Sequence, residues 1–440
     1  MRSLFKTCIV YILTLEARLV VRKYKPHIVA ITGSVGKTST KDAIYAVLAE
    51  QTHVRKSDKS FNSELGLPLT ILGVPNAWNN PLRWLQNILD GLFLILFTTS
   101  YPQWLVLEVG ADRPGDISSL AKWLPVEIAV ITRLPEVPVH VEFFDSPESV
   151  VQEKASLINA LAAAGTLVVY ADDSRKNMLV EKAQAHGARV ITFGVLPSAD
   201  VRASESHLIR LPAQAGDTED GWPTGVTTTI TVGGTSAPVS ILGTIGNHML
   251  LPAVAAAAVG HAMGMEMPAI VQGLSRYEPP RGRMHLISGI KDTLVIDDTY
   301  NSSPAAVMAA LDALASVKPK GRRIAVLGDM LELGRHSVEE HRKIGAYAAG
   351  NVDIFCTIGF RARDMAEGAL DNGLTDSNIF QYEDADKAGD ELAALVQPGD
   401  CILVKGSQSM RMEKTVEHLM KDPEQALEFL VRQESDWKKR

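Results

Sequence analysis

The stretch Ile31-Thr-Gly-Ser-Val-Gly-Lys-Thr-Ser39 combines the residue types needed to hold a phosphate chain. Gly33 and Gly36 would let the backbone fold back so that its amides face an anion, and a helix starting there adds its partial positive charge. Lys37 would neutralise β- and γ-phosphate oxygens, and the Thr38 hydroxyl would ligate Mg²⁺. Ser34, Val35 and Ser39 complete the candidate nucleotide-binding stretch. Ile31 stands where the first glycine of a full Walker A pattern would be. A glycine-rich turn with an adventitious Lys-Thr is the plainer alternative; a β-rich run before the loop (His27 to Thr32) and a helical one after it (Lys37 to Glu50) favour the nucleotide site. A carboxylate, Glu108, closes a second predicted strand (Trp104 to Val109) in Glu108-Val-Gly-Ala; alone it could be a solvated strand end.

These residues need a scaffold, and the pattern supplies one. Further strands are predicted at Glu127 to Thr132, Thr166 to Tyr170 and Arg189 to Phe193. Strands alternating with helices imply a mostly parallel sheet covered on both faces. Val226 to Leu242 reads as antiparallel hairpins, followed by an Ala-rich helix from Pro252 to Met263. The rigid, turn-prone Glu278-Pro-Pro-Arg-Gly-Arg283 marks a boundary. Beyond it Thr293 to Asp297, Arg323 to Leu327, Ile354 to Ile358 and Cys401 to Lys405 alternate with helices, as in a dinucleotide fold. The expected α/β architecture is an amphipathic helix (1–26), a central P-loop parallel-sheet domain (27–282) and a C-terminal Rossmann-like domain (283–440), with an apolar insertion at about 74–103.

At 440 residues the chain exceeds one ordinary core. A net charge of −7 and a pI near 5.9 argue against nucleic acid as the main partner. Three sparse cysteines, Cys8, Cys356 and Cys401, give no disulfide framework, which fits a reducing cytoplasm. The apolar run Cys8 to Leu15 is too short to span a bilayer, and no small-residue cleavage site follows it. It and the apolar Trp84-to-Phe97 segment could pack together as a cover for the sheet. The sharper alternative is a membrane-touching surface.

The ordered motifs resemble the Mur ligase family of peptidoglycan synthesis. Thr32-Gly-Ser-Val-Gly-Lys-Thr-Ser-Thr40 is similar to the family's phosphate loop, and Phe61-Asn-Ser-Glu-Leu-Gly-Leu-Pro-Leu-Thr70 to the segment after it. Glu108-Val-Gly-Ala-Asp112 resembles its metal-binding strand end. His140, with Lys154 fourteen positions on, matches the spacing of its metal-site histidine and carbamylated lysine. Ile296-Asp-Asp-Thr-Tyr-Asn-Ser-Ser-Pro304, Val326-Leu-Gly-Asp-Met-Leu-Glu-Leu-Gly334 and Val404-Lys-Gly-Ser-Gln-Ser-Met-Arg-Met-Glu413 are similar to the branch that adds D-alanyl-D-alanine to a muramoyl tripeptide.

The resemblance implies an ATP-dependent amide ligase working through an acyl-phosphate, with two Mg²⁺ ions. One would sit on Thr38 and the phosphates, the other on Glu108, His140 and a carbamate on Lys154; Lys37, Glu108, His140 and Lys154 would be the catalytic set. It also implies nucleotide contacts from His248, Arg283, Asp298 (ribose) and Tyr300 (base), and substrate contacts from Asn62, Ser63, Glu64, Asn301, Lys405, Ser407 and Arg411. A monomer is expected. Taken singly, His140 reads as a loop histidine, Lys154 as an exposed helix lysine and Arg283 as a linker arginine.

Departures accompany the likeness. About thirty residues precede the loop, too few for the family's UDP-binding domain, which the chain is expected to lack. Arg133-Leu-Pro-Glu-Val-Pro-Val replaces the family's Asn-x-Gly before the metal histidine. Met249 and Pro252 replace asparagines of the nucleotide helix, and Ser303 stands where an asparagine is usual. These leave open an amide ligase on another substrate, of folylpolyglutamate or poly-amino-acid type, and a nucleotide-binding scaffold without turnover.

Overall fold

The structure, a computed structural model, describes residues 2–58, 64–78, 80–210, 221–434 and 437, with side chains from Lys6 onward. Among these residues the first sheet has nine strands: β1 (His27–Thr32), β2 (Val54–Lys56), β3 (Trp104–Glu108), β4 (Val126–Ile131), β5 (Leu161–Tyr170), β6 (Arg189–Gly194), β7 (Val201–Arg210), β8 (Pro223–Val232) and β9 (Thr235–Leu242). Their spatial order is β2-β3-β1-β4-β5-β6-β7-β8-β9, parallel from β2 to β7 and antiparallel from β7 to β9. Ile31 of β1 lies beside Glu108 of β3 and Val130 of β4, so the carboxyl ends of three strands meet at one edge. The chain leaves β1 for the β2–β3 side and later returns on the β4 side. A crevice therefore opens at the end of β1, where parallel sheets bind ligands.

The helices that cover this sheet begin with α1 (Arg2–Tyr24), α2 (Lys37–Leu48), α3 (Gly66–Leu72), α4 (Pro81–Leu96), α5 (Asp116–Leu120) and α6 (Pro147–Ala155), followed by α7 (Lys176–Ala185), α8 (Leu251–Ala262) and α9 (Met267–Leu274). On one face, Ala43, Ile44 and Val47 of α2 join the alanines of α8 against Val29, Ile31, Val106 and Val130. Small residues set this contact: a Cβ added at Gly273 of α9 would fall 2.5 Å from Val47 Cα.

On the opposite face, Ile28, Ala30, Leu105 and Leu107 are covered by α1, α3 and α4. α1 buries Ile9, Leu13, Val20 and Val21 there, each worth about 1.5–3 kcal/mol when fully buried. α4 begins cleanly because the Asn80 side chain accepts from Arg83 N (3.1 Å) and Pro81 occupies the first turn. It ends where Lys23 Nζ of α1 donates to the carbonyls of Leu94, Ile95 and Phe97 at 2.9, 3.0 and 2.6 Å, a cation on a negative helix end. The two apolar segments singled out in the sequence thus pack on each other.

The second sheet runs β10 (His285–Gly289), β11 (Thr293–Asp298), β12 (Arg323–Gly328), β13 (Ile354–Ile358), β14 (Ile379–Tyr382) and β15 (Cys401–Lys405) along the chain. Its order is β10-β11-β15-β12-β13-β14, parallel apart from the β10–β11 pair. Ile245 and Met249, from the first part of the chain, pack in its core against helix α10 (Pro304–Val317), which joins the two sheets' domains through apolar contact. The strand reading missed β2, β7, β10 and β14. β14 is a half-buried edge strand, and β7 is largely polar and exposed beyond Ala203, so neither carries a strong apolar run.

Candidate active site

After β1 the backbone turns through Gly33 (φ 139°) and Gly36 (φ 83°), both in the region that favours glycine. A Cβ on Gly33 would fall 1.9 Å from Thr132 Oγ1. That contact is used: Thr132 Oγ1 donates to Val35 O (2.8 Å), and Ser34 N donates to Arg133 O (3.0 Å). The loop is thereby held against the end of β4. α2 starts at Lys37 without a side-chain cap, with Thr38 and Ser39 buried in its first turn, so its N-terminus is open to an anion. Lys37 Nζ donates to Gly33 O (3.0 Å). Burial lowers the Lys37 pKa; the charges of Glu108 and Asp112 raise it and that of Arg283 lowers it further. Four predicted or motif residues therefore share one neighbourhood.

Glu108 is 1% exposed, and its backbone N donates to Ser57 Oγ (3.3 Å). Its carboxylate acts on both Lys37 and Lys41. Lys154, on α6, is likewise 1% exposed, against the reading of an exposed helix lysine. α6 is started by Ser146, whose hydroxyl accepts from Ser149 N, and by Pro147. Burial and then the charge of Lys37 push the Lys154 ammonium down to about 7, while Asp112 and Glu153 pull the other way. His140 sits at φ 68°, a left-handed conformation costly for a side chain and concentrated at functional sites. Its Nε2 is 3.6 Å from Asp112 Oδ1 and its Nδ1 2.7 Å from Glu332 Oε2.

Asp112 is the common neighbour of Lys37, Lys154 and His140. In the sequence it stands only as the acid that closes Glu108-Val-Gly-Ala-Asp112, and that acidic type is the one signal of its role. Carboxylate and imidazole donors suit a divalent cation, whereas a lysine amine does not. A carbamate on Lys154 would supply oxygen, and CO₂ adds only to a neutral amine, which the lowered basicity of Lys154 provides. Among the described residues no group of three or more His, Cys, Asp and Glu side chains could hold a metal ion.

The second sheet contributes from the ends of β11 and β15. Lys405 Nζ donates to Asp298 Oδ2 (2.6 Å) and to Asn301 O (2.8 Å), and Asp298 Oδ1 accepts from Met284 N (3.2 Å). Arg283 packs its guanidinium over the Tyr300 ring (4.3 Å). Its charge lowers the pKa of both Lys37 and Lys405, so it stands between the two domains' cations. Beside this cluster a cavity of about 480 Å³ lies between the domains, lined by Arg133, Tyr170, Gly246, Asn247 and His248 on one side and by Asp312 on the other. His248 is pushed down to about 4 by burial, so it stays neutral there.

Some expected residues lie elsewhere. Tyr300 does not line that cavity; besides Arg283 it meets Arg432 at 5.6 Å. Arg411 is bound to Glu413 (Nε to Oε1, 2.5 Å) and to Trp437 O (3.0 Å), and it lines a separate cavity of about 720 Å³. Ser407 Oγ accepts from Leu331 N (2.9 Å), so it supports the loop that carries Glu332. Glu64 is exposed and paired with Lys6 at 3.5 Å. Asn62 and Ser63 lie outside the described residues. Glu332 was missed because nothing in sequence ties it to His140, from which it is separated by almost two hundred positions.

Comparison with known proteins adds independent findings. The family description "Mur ligase middle domain" matches residues 31–82 and 85–260, and "Mur ligase, glutamate ligase domain" matches 282–408. The UDP-N-acetylmuramoyl-tripeptide–D-alanyl-D-alanine ligase of Bacillus subtilis is 30% identical over 410 residues, covering 92% of this chain and 79% of that protein. The ligase of the same name from Mycobacterium leprae is 31% identical over 422 residues, covering 90% and 74%. The solved structure of MurF ligase from Thermotoga maritima in complex with ADP superposes with a TM-score of 0.75 at 25% identity, covering 95% of this chain and 84% of that one.

Proposed function

The chain belongs to the Mur ligase family, and from that membership we propose an ATP-dependent amide ligase that adds D-alanyl-D-alanine to a muramoyl-tripeptide precursor of peptidoglycan. The observation that carries this reading is the meeting of Lys37, Arg283 and Lys154 with Glu108 and Asp112 at the junction of the two domains. Buried cations around a glycine-rich helix start suit a triphosphate, and the carboxylates beside them suit its counter-ions.

A carboxylate is a poor electrophile. In the proposed reaction its oxygen attacks the γ-phosphorus of ATP, the bond from that phosphorus to the bridging oxygen breaks, and ADP leaves. The amine nitrogen of D-alanyl-D-alanine then attacks the acyl carbon, the carbon–oxygen bond to phosphate breaks, and the nitrogen loses a proton. Lys37 and the loop amides hold the transferring phosphate, and Arg283 reaches it from the linker. Phosphoryl transfer depends mainly on such positioning and charge neutralisation. Mg²⁺, when bound, shields the charge of the phosphates; Thr38, Glu108, His140 and a carbamylated Lys154 are the residues proposed to hold two ions. Asp298, fixed by Lys405, is assigned to the ribose, and the cavity at His248 to the base. Apolar contact between the domains excludes water from the acyl-phosphate. A cytoplasmic monomer is the proposed setting, in keeping with the free cysteines Cys8, Cys356 and Cys401.

The test is phosphate release from ATP with each substrate alone and with both. Release that requires the muramoyl tripeptide and D-alanyl-D-alanine together is expected. Release that the two substrates added together leave unchanged contradicts the reading.

A further inference from the structure

Among the described residues, eleven of the twenty-one exposed large hydrophobic side chains fall on α1, α4 and the turn before α4. α1 turns Tyr11, Ile12, Leu15 and Leu19 outward, at helical spacings of three and four. α4 does the same with Leu82, Leu85, Leu89, Phe93 and Leu96, which are 51–76% exposed, while burying only Trp84, Asn87 and Gly91. Such a contiguous apolar surface on a water-soluble fold marks an interaction site.

Charge selects the partner. Residues 1–26 carry six basic side chains and a single acid, Glu16, which is buried, in a chain whose net charge is −7. Arg18, Arg22 and Lys25 gather at the C-terminal end of α1 and are exposed, beside Lys23, whose ammonium is held by the end of α4. An apolar face edged by cations on an otherwise acidic protein is complementary to an anionic lipid surface. No helix among the described residues is long and apolar enough to cross a membrane, so the contact lies in the interface.

We propose that the α1–α4 pair is a docking surface for an anionic lipid bilayer, with the apolar stripes entering the headgroup boundary and the basic end of α1 meeting lipid phosphates. Lys6 of α1 lies 3.5 Å from Glu64, just ahead of α3, so docking holds that edge of the central domain close to the bilayer. The proposal does not depend on the ligase reading.

Flotation of the full chain with phosphatidylcholine vesicles, with and without phosphatidylglycerol, tests it. Partitioning roughly tenfold stronger onto the anionic vesicles is expected. The double change Leu89→Asp with Phe93→Asp should abolish it, and Arg22→Glu with Lys25→Glu should remove the preference for anionic lipid. Both variants should keep the wild-type melting temperature, because all four side chains are exposed. A protein that floats with neither vesicle, or binds both equally, overturns the proposal. So does a solution dimer that the α4 double change dissociates without any vesicle binding, since a second copy would then own the face.

Discussion

At the residue scale the site consists of cations buried beside acids. Lys37 stands at the loop, and the next buried amine along α2, Lys41, donates to Ser57 O at 2.8 Å. Lys37→Met should lower kcat by roughly 10²–10³-fold, the scale of losing a preorganised electrostatic contact to a transferring group, as read by ADP formation. Lys154→Ala should cost about 10–100-fold or more through the lost ion site. Added formate or acetate, which supplies the missing carboxylate oxygens, should restore part of the rate; failure of every small carboxylate to do so counts against the carbamate. The loop was legible because its chemistry is local, with glycines, lysine and threonine in one run between strand and helix. Asp112 and Glu332 were not, because their importance comes from neighbours that only the fold assembles: Asp112 with His140 and Lys154, Glu332 with His140.

At the element scale, supports decide where these side chains point. The loop following β12 is fixed at three points: Ser407 Oγ accepts from Leu331 N, His341 Nε2 from Met330 N (3.0 Å), and Asp329 Oδ1 from Ala362 N (2.8 Å). Ser407→Ala removes one and leaves an amide unsatisfied, a loss of about 1–3 kcal/mol that thermal denaturation would register. The crossing of α1 and α4 carries the opposite feature. Glu16 is buried, neither carboxylate oxygen has a hydrogen-bond partner among the described residues, and a Cβ on Gly91 would fall 2.2 Å from its Oε2. Burial raises it from an ordinary 4.5 to about 7. The folded state then binds the extra proton between those values, so stability falls as pH rises from about 4.5 to 7 and is level above. Glu16→Leu should stabilise by roughly 1–3 kcal/mol at pH 8 and by less at pH 4, where the native carboxyl is already neutral. An equal gain at both pH values would contradict the cause given. The parallel strands β1, β3 and β4 could be read from their apolar runs, whereas polar or edge strands such as β7 and β14 are defined by pairing, which sequence pattern does not carry.

At the scale of the whole molecule, two α/β sheets meet so that β1, β3 and β4 of one and β11 and β15 of the other end at a shared cleft. Arg283 at the linker and the Glu332–His140 contact join the halves there. Glu332→Gln keeps the shape and removes the charge facing His140; a several-fold lower kcat with an unchanged melting temperature is expected from weakened closure. The two-sheet plan was legible from alternating strand and helix signals. The juxtaposition of the halves was not, because it depends on apolar residues such as Ile245 and Met249 that look like any other core residues until they appear in the other domain's core.

In the proposed reaction this cleft converts a carboxylate into an acyl-phosphate before an amine takes it. The most direct test labels both carboxylate oxygens of the muramoyl tripeptide with oxygen-18 and follows them through one turnover with ATP and D-alanyl-D-alanine. One labelled oxygen in the released phosphate and one in the new amide is the predicted result. Unlabelled phosphate with both heavy oxygens still in the tripeptide's carboxyl group would contradict it.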